Sequence, residues 1–386
     1  MNTYIQIRCA FLYLCITIIL GILLRSAYVI SPFFNYQFLL HTHSHIAILG
    51  WIYTIITALL NHSFLEEKSQ RKYRKLFIFT QITLTGMLFS FPWQGYGFFS
   101  IFFSSLFLLA SYCYSYFFLK NISFDKKKNP SYKFVRASIF FLLFSSIGIW
   151  ALPVIIATLG KESPMYQSSI YFFLHFQYNG FILTALTALW VQKLEKISNN
   201  IKLTTCYYGV LVGILGTLFL SWTGLFQTQW MYWIGGISAV IWLISLLIMS
   251  YLYFQKIKKS VLLSIFVGML LVKTIFLSLG IFPYVVKRIF FNTDLIISYL
   301  HFTFLGVIMF GILYFLKEKL KIILSFWSIL IYTIAFLSTE ILIFYKGMAI
   351  WFGFNLPTNY FNLLFIFSCL YLIVISWTRQ IWKMKS

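Results

Sequence analysis

Charge is what this sequence has least of. Only 10% of its 386 residues are Asp, Glu, Lys or Arg, and just 8 of them are acidic. A soluble globular domain carries about 25% charged residues, so this scarcity excludes a water-facing surface over most of the chain. Cysteine is scarce as well. Cys9, Cys15, Cys113, Cys206 and Cys369 are scattered through apolar runs without a CxxC spacing. That argues against a disulfide framework or a thiolate metal site and for small apolar residues inside helices. No small-residue cleavage pattern follows the first apolar run, so residues 7–30 read as a retained helix and not as a signal peptide.

What fills the chain is hydrophobic sequence, 61% of it. The apolar runs are mostly 20 residues or longer, enough to cross about 30 Å of hydrocarbon at about 1.5 Å per residue. There are twelve, near residues 7–30, 36–60, 76–91, 98–120, 137–159, 166–191, 203–225, 230–254, 261–282, 294–316, 322–344 and 360–381. The expected fold is therefore an all-α polytopic membrane protein, one integral domain with the lipid bilayer as its first partner.

The net charge of +22 would suggest nucleic acid in a soluble protein, but the basic residues sit in alternate loops. Clusters at 68–75, 120–136, 193–202, 256–259, 317–321 and 379–385, with Arg8, place 24 of the 30 Lys and Arg on one side. Arg25, Lys161, Lys287, Arg288 and Lys346 fall on the other, and Lys273 lies inside a run. By the positive-inside rule both termini are cytoplasmic. No nucleic-acid role is expected, and the bacterial cytoplasmic membrane is the expected location.

One stretch, FLLHTHSHIAILGW at 38–51, sets a pattern that returns twice. His45 is followed five residues later by Gly50, His175 by Gly180 and His301 by Gly306. These fall in the second, sixth and tenth runs. A period near 130 residues reads as three pseudo-repeated four-helix arcs, about 1–125, 126–256 and 257–386, around an axis along the membrane normal. The three histidines start from the same side and lie at matched depth, so they could share one layer. His41 and His45, four apart, share a helix face, whereas His43 points nearly opposite. His62, beside Asn61 and Glu66, reads as solvated.

Histidine in hydrocarbon is a functional-site hypothesis by default. Neutral imidazole binds iron, copper or zinc, and two histidines from facing helices hold a six-coordinate haem. Candidate metal ligands are His41, His45, His175 and His301. The competing reading is that each histidine hydrogen-bonds a carbonyl or a Tyr hydroxyl and pins helices together. Glu340 and Lys273 are candidates for a proton or ion pathway, and external Arg25, Lys287 and Arg288 are candidates to neutralise haem propionates or to anchor the interface.

In layout the chain resembles the haem-copper oxidase superfamily, subunit I of terminal oxidases and the large subunit of nitric oxide reductases. YFFLHFQYNGFILTALTALW resembles the helix of C-type oxidases that carries the first copper ligand, which maps to His175. LHFTFLGV resembles half of that family's helix-ten histidine pair, which maps to His301. His43 and His45 stand where the family keeps a low-spin haem ligand, and HSHIAILGW is similar to its helix-ten signature. The pattern also departs from the family. LTTCYYGVLVGILGTLFLSW, the seventh run, holds no histidine, and the tenth holds one. NnrS-type membrane proteins share the reduced histidine count, but their helix-two motif carries a Glu absent here.

The resemblance implies b-type haem, held by His43 or His45 with His301 and with Arg25 and Arg288 near the propionates. Copper is implied at His175, and the partners would be respiratory subunits or a cytochrome c-like donor. The expected role is electron transfer, or oxygen or nitric oxide handling, without standard oxidase turnover. The alternative is a membrane transporter or metal-handling assembly factor using the same histidines as an ion or substrate site.

Overall fold

The computed structural model describes residues 2–256 and 260–383. Lys258, Lys259 and Lys385, counted above among the basic clusters, lie outside the described residues. Among those described, the chain is helical, with one isolated bridge between Leu65 and Ile122 in place of any sheet. Twelve long helices follow one another: α1 (Thr3–Ser26), α2 (Tyr36–Phe64), α3 (Arg74–Gln94), α4 (Phe98–Asn121), α5 (Pro130–Thr158), α6 (164–194), α7 (Asn200–Phe226), α8 (Gln229–Lys256), α9 (Val261–Ser278), α10 (Thr293–Leu320), α11 (Phe326–Phe352) and α12 (Tyr360–Lys383). A short helix, Pro283–Phe290, precedes α10.

Eleven of these are long and apolar enough to cross a membrane. The exception is α6, expected above as a span. It has the length, but His175, Gln177, Tyr178 and Asn179 interrupt its apolar run. All four are buried, and so is every residue from His175 to Val191. A helix enclosed by other helices need not be apolar all round, provided its polar groups find partners. The third run also differs from expectation at its end. The run expected to end near residue 91 continues through Pro92, which lies inside α3, and the reversal comes at Gly95, whose φ of 57° suits a residue without Cβ.

The chain forms two compact units, Met1–Ile122 with Phe315–Ser386, and Ser123–Tyr314. In the first unit α2 is the enclosed helix: every residue from Leu49 to Asn61 is buried, against Phe11 and Tyr13 of α1 and Phe107 and Tyr114 of α4. In the second unit α6 holds that position, with Phe141 and Phe144 of α5 on one side and Phe266 of α9 on another.

The three histidine-bearing helices start alike. Asn35 caps α2 by accepting from the Phe38 amide, Ser163 caps α6 ahead of Pro164, and Asn292 caps α10 by accepting from the Leu295 amide. Each cap satisfies one of the amides a helix start leaves unpaired. It also fixes where the helix begins, and so how far along it each histidine lies.

Candidate histidine and lysine sites

Each of the three recurring histidines ends an α-helical segment, and the next residue opens a π-helix. These run Ile46–Tyr53 after His45, Phe176–Leu183 after His175 and Phe302–Ile308 after His301. π-Turns are rare and concentrate at functional sites. The glycine five residues on lies inside each one. At Gly50 a Cβ would stand 3.0 Å from the Tyr13 ring, and at Gly180 2.6 Å from Phe141 Cβ. In α2 and α6, therefore, the glycine lets an aromatic side chain of the preceding element seat against the widened turn.

In the first unit the histidines divide by helix face. His43 turns to α1: its Nδ1–H donates to the Thr17 carbonyl at 3.0 Å, and its Cε1 is 3.0 Å from where a Cβ on Gly21 would stand. Glycine at position 21 is what lets the imidazole edge lie on that backbone. His41 and His45 share the other face, with centroids 4.6 and 5.9 Å from the Tyr96 ring. His45 Nδ1–H donates to the His41 carbonyl at 2.8 Å, and the imidazole tilts against Phe91 at 4.3 Å. Its proton is thus held at Nδ1, and the lone pair at Nε2 has no hydrogen-bond donor among the described residues. A metal-binding histidine is commonly set up in this way, with one nitrogen tied to a carbonyl and the other presented.

In the second unit His175 has both nitrogens engaged. Its Nε2–H donates to the Ile214 carbonyl on α7 at 2.8 Å, while Nδ1 accepts from Asn179 Nδ2 at 3.2 Å and faces Ser221 Oγ at 3.4 Å. A metal at His175 would require one of these bonds to be given up. Asn179 Oδ1 in turn accepts from the Lys273 ammonium of α9. Lys273 is fully buried, with Nζ 4.6 Å from the Trp242 ring centroid and 5.8 Å from those of Tyr178 and Tyr299. The result is one continuous chain from the Ile214 carbonyl through His175 and Asn179 to Lys273.

The remaining candidates are dispersed. His301 is half-buried at the α-to-π junction of α10. Arg25 ends α1 and is an electrostatic neighbour of His43 and Tyr371. Arg288 is exposed on the short helix before α10, over Tyr284 at 5.6 Å, and Lys287 beside it is exposed too. Glu340, 8% exposed, lies on α11 of the first unit near Tyr371, and Lys273 belongs to the second. His62, expected to be solvated, is exposed and hydrogen-bonds the Lys319 backbone. With Asn2, Gln70 and Arg71 it lines a cavity of about 550 Å³, to which His41, His43 and His45 do not contribute. Among the described residues, no group of three or more His, Cys, Asp or Glu side chains is placed to hold one metal ion.

Two buried groups were not anticipated. Asn179 links His175 to Lys273. In the first unit Asn61 accepts from the Tyr114 hydroxyl at 3.3 Å and donates to Gln6 at 3.5 Å, and Gln70 donates to its carbonyl at 3.2 Å. An amide inside a hydrophobic run was the available signal for Asn179, whereas Asn61 stands at the end of its run beside His62. No protein-family model matches this sequence, and no curated protein aligns with it.

Proposed function

We propose that the chain is a haem-binding membrane protein for electron transfer or for handling oxygen or nitric oxide, with His45 as an axial ligand. The observation that carries this reading is the placement of His45: an imidazole held through Nδ1 on the His41 carbonyl, with Nε2 left without a hydrogen-bond partner among the described residues, beside aromatic side chains. That donor fits one axial position of a b-type haem. His43 is the weaker candidate because its edge lies on α1. A bound haem would supply reversible one-electron chemistry and an iron for a diatomic ligand. The chain's own part is to hold the tautomer through the His41 carbonyl and to place Phe91 and Tyr96 beside the ring.

Copper at His175 has no comparable support, since both ring nitrogens are committed to hydrogen bonds. Oxidase turnover is not proposed. A second reading, ion or proton transport, is favoured by buried Lys273, because an intramembrane cation usually marks a pathway.

The test is a dithionite-reduced minus oxidised visible spectrum of protein produced with ample haem. Sharp reduced-haem bands support the reading, and a featureless spectrum overturns it.

A further inference from the structure

Burying an ammonium costs several kcal/mol unless it is compensated. Lys273 is compensated unusually. Among the described residues of its unit no carboxylate lies within ion-pair distance, and its one hydrogen-bond acceptor is the Asn179 amide. Three rings add cation–π attraction, the nearest being Trp242 at 4.6 Å. The titratable groups around it are Tyr178 and Tyr299, which face it directly, and His175 beyond the amide. If the lysine served only to tie helices, a neutral side chain could do so without the desolvation cost.

An amide has one accepting end and one donating end. With Oδ1 toward Lys273, Nδ2 must face His175, so His175 Nδ1 must keep its lone pair. The Nε2–H to Ile214 bond is consistent with that tautomer. Were Nδ1 to take a proton, the amide would have to turn over. Oδ1 would then accept from the imidazolium, and Nδ2 would face Nζ, which could accept only as a neutral amine. Ser221 Oγ would turn from donor to acceptor at the same time.

We propose that His175, Asn179 and Lys273 form a buried proton-binding site that holds one proton at either Lys273 or His175, with the Asn179 amide excluding occupancy of both. Each protonation takes its proton from water and each loss returns it to water. The amide rotates and carries none. The site stands whether or not the chain binds haem, because it shares no residue with the His45 face.

The test is nitrogen NMR on the full chain in lipid bilayers, with ¹⁵N-labelled histidine and lysine assigned by His175→Gln and Lys273→Met. In the unaltered protein at pH 7, His175 is neutral with its proton on Nε2 and Lys273 is an ammonium. In Lys273→Met, His175 charges at a proton concentration lower by at least about tenfold, the effect of removing a nearby like charge. Plain repulsion through space predicts a shift as well, so the amide is tested separately. In an Asn179→Leu background the same Lys273→Met change shifts His175 by less than about threefold. Equal shifts in the two backgrounds overturn the proposal. So does finding both groups charged together at pH 6 in the unaltered protein, a measurement that needs no variant to fold.

Discussion

At the residue scale the histidines do two kinds of work, and sequence position alone does not separate them. His43 and His175 each donate to a carbonyl of another helix, Thr17 on α1 and Ile214 on α7, as a histidine pinning helices together would. His45 donates within its own turn and keeps a lone pair outward. The opposite orientation of His43 and His45 was legible from their spacing. The fate of His175 was not, because it depends on a backbone carbonyl 39 residues away. Likewise, nothing local to Asn179 indicates that its partner is Lys273, 94 residues on.

Stability also separates the members of this chain. Replacing Asn179 by Leu leaves a buried ammonium without its acceptor, a loss expected to cost about 3–5 kcal/mol. Replacing Lys273 by Met removes the charge itself and strands only the amide oxygen, about 1–3 kcal/mol. Thermal unfolding in detergent should therefore place Asn179→Leu below Lys273→Met, with the double variant recovering much of the difference. A double variant less stable than Asn179→Leu alone would show that the lysine contributes packing and not an unmet charge.

At the element scale, the existence of the helices was legible from hydropathy and the π-turns were not. A π-turn lasts seven or eight residues here, too short for its wider period to register against 3.6 in a hydrophobic pattern. The glycine five residues after each histidine was the visible trace. Its role in α2 and α6 is close approach. Gly180→Ala drives a methyl into Phe141 and should cost about 1–3 kcal/mol by overpacking. Gly268, on α9, meets nothing within 4 Å of a built Cβ. Gly268→Ala should thus be neutral or stabilising by up to about 1 kcal/mol through helix propensity. Thermal midpoints of the two variants in one detergent decide this, and a stabilising Gly180→Ala would contradict the packing described for α6.

At the scale of the whole molecule, the polytopic helical character follows from composition, and the uncertain helix is the most enclosed one. α6 reads as a span from its apolar run, yet it is more polar than the other eleven, because its polar groups face other helices. If it crosses the membrane with the eleven apolar helices, the two termini emerge on the same side, as the distribution of Lys and Arg predicts. If it does not, they emerge on opposite sides. Accessibility of single cysteines placed near each end, in a variant lacking the five native ones, distinguishes these topologies. Labelling of both ends from the cytoplasmic side alone is the expected outcome.

The division of labour among the histidines is tested most directly by haem content per chain in His45→Ala, His43→Ala and His175→Ala, measured by pyridine haemochrome after purification under identical conditions. Loss of an axial ligand should lower occupancy by at least about tenfold, since weakening a ligand's supporting partner alone costs about 10–100-fold in affinity. His45→Ala should show that loss, and His175→Ala should retain haem at close to the unaltered level. Haem retained in His45→Ala, or lost on removing His175, would contradict the account.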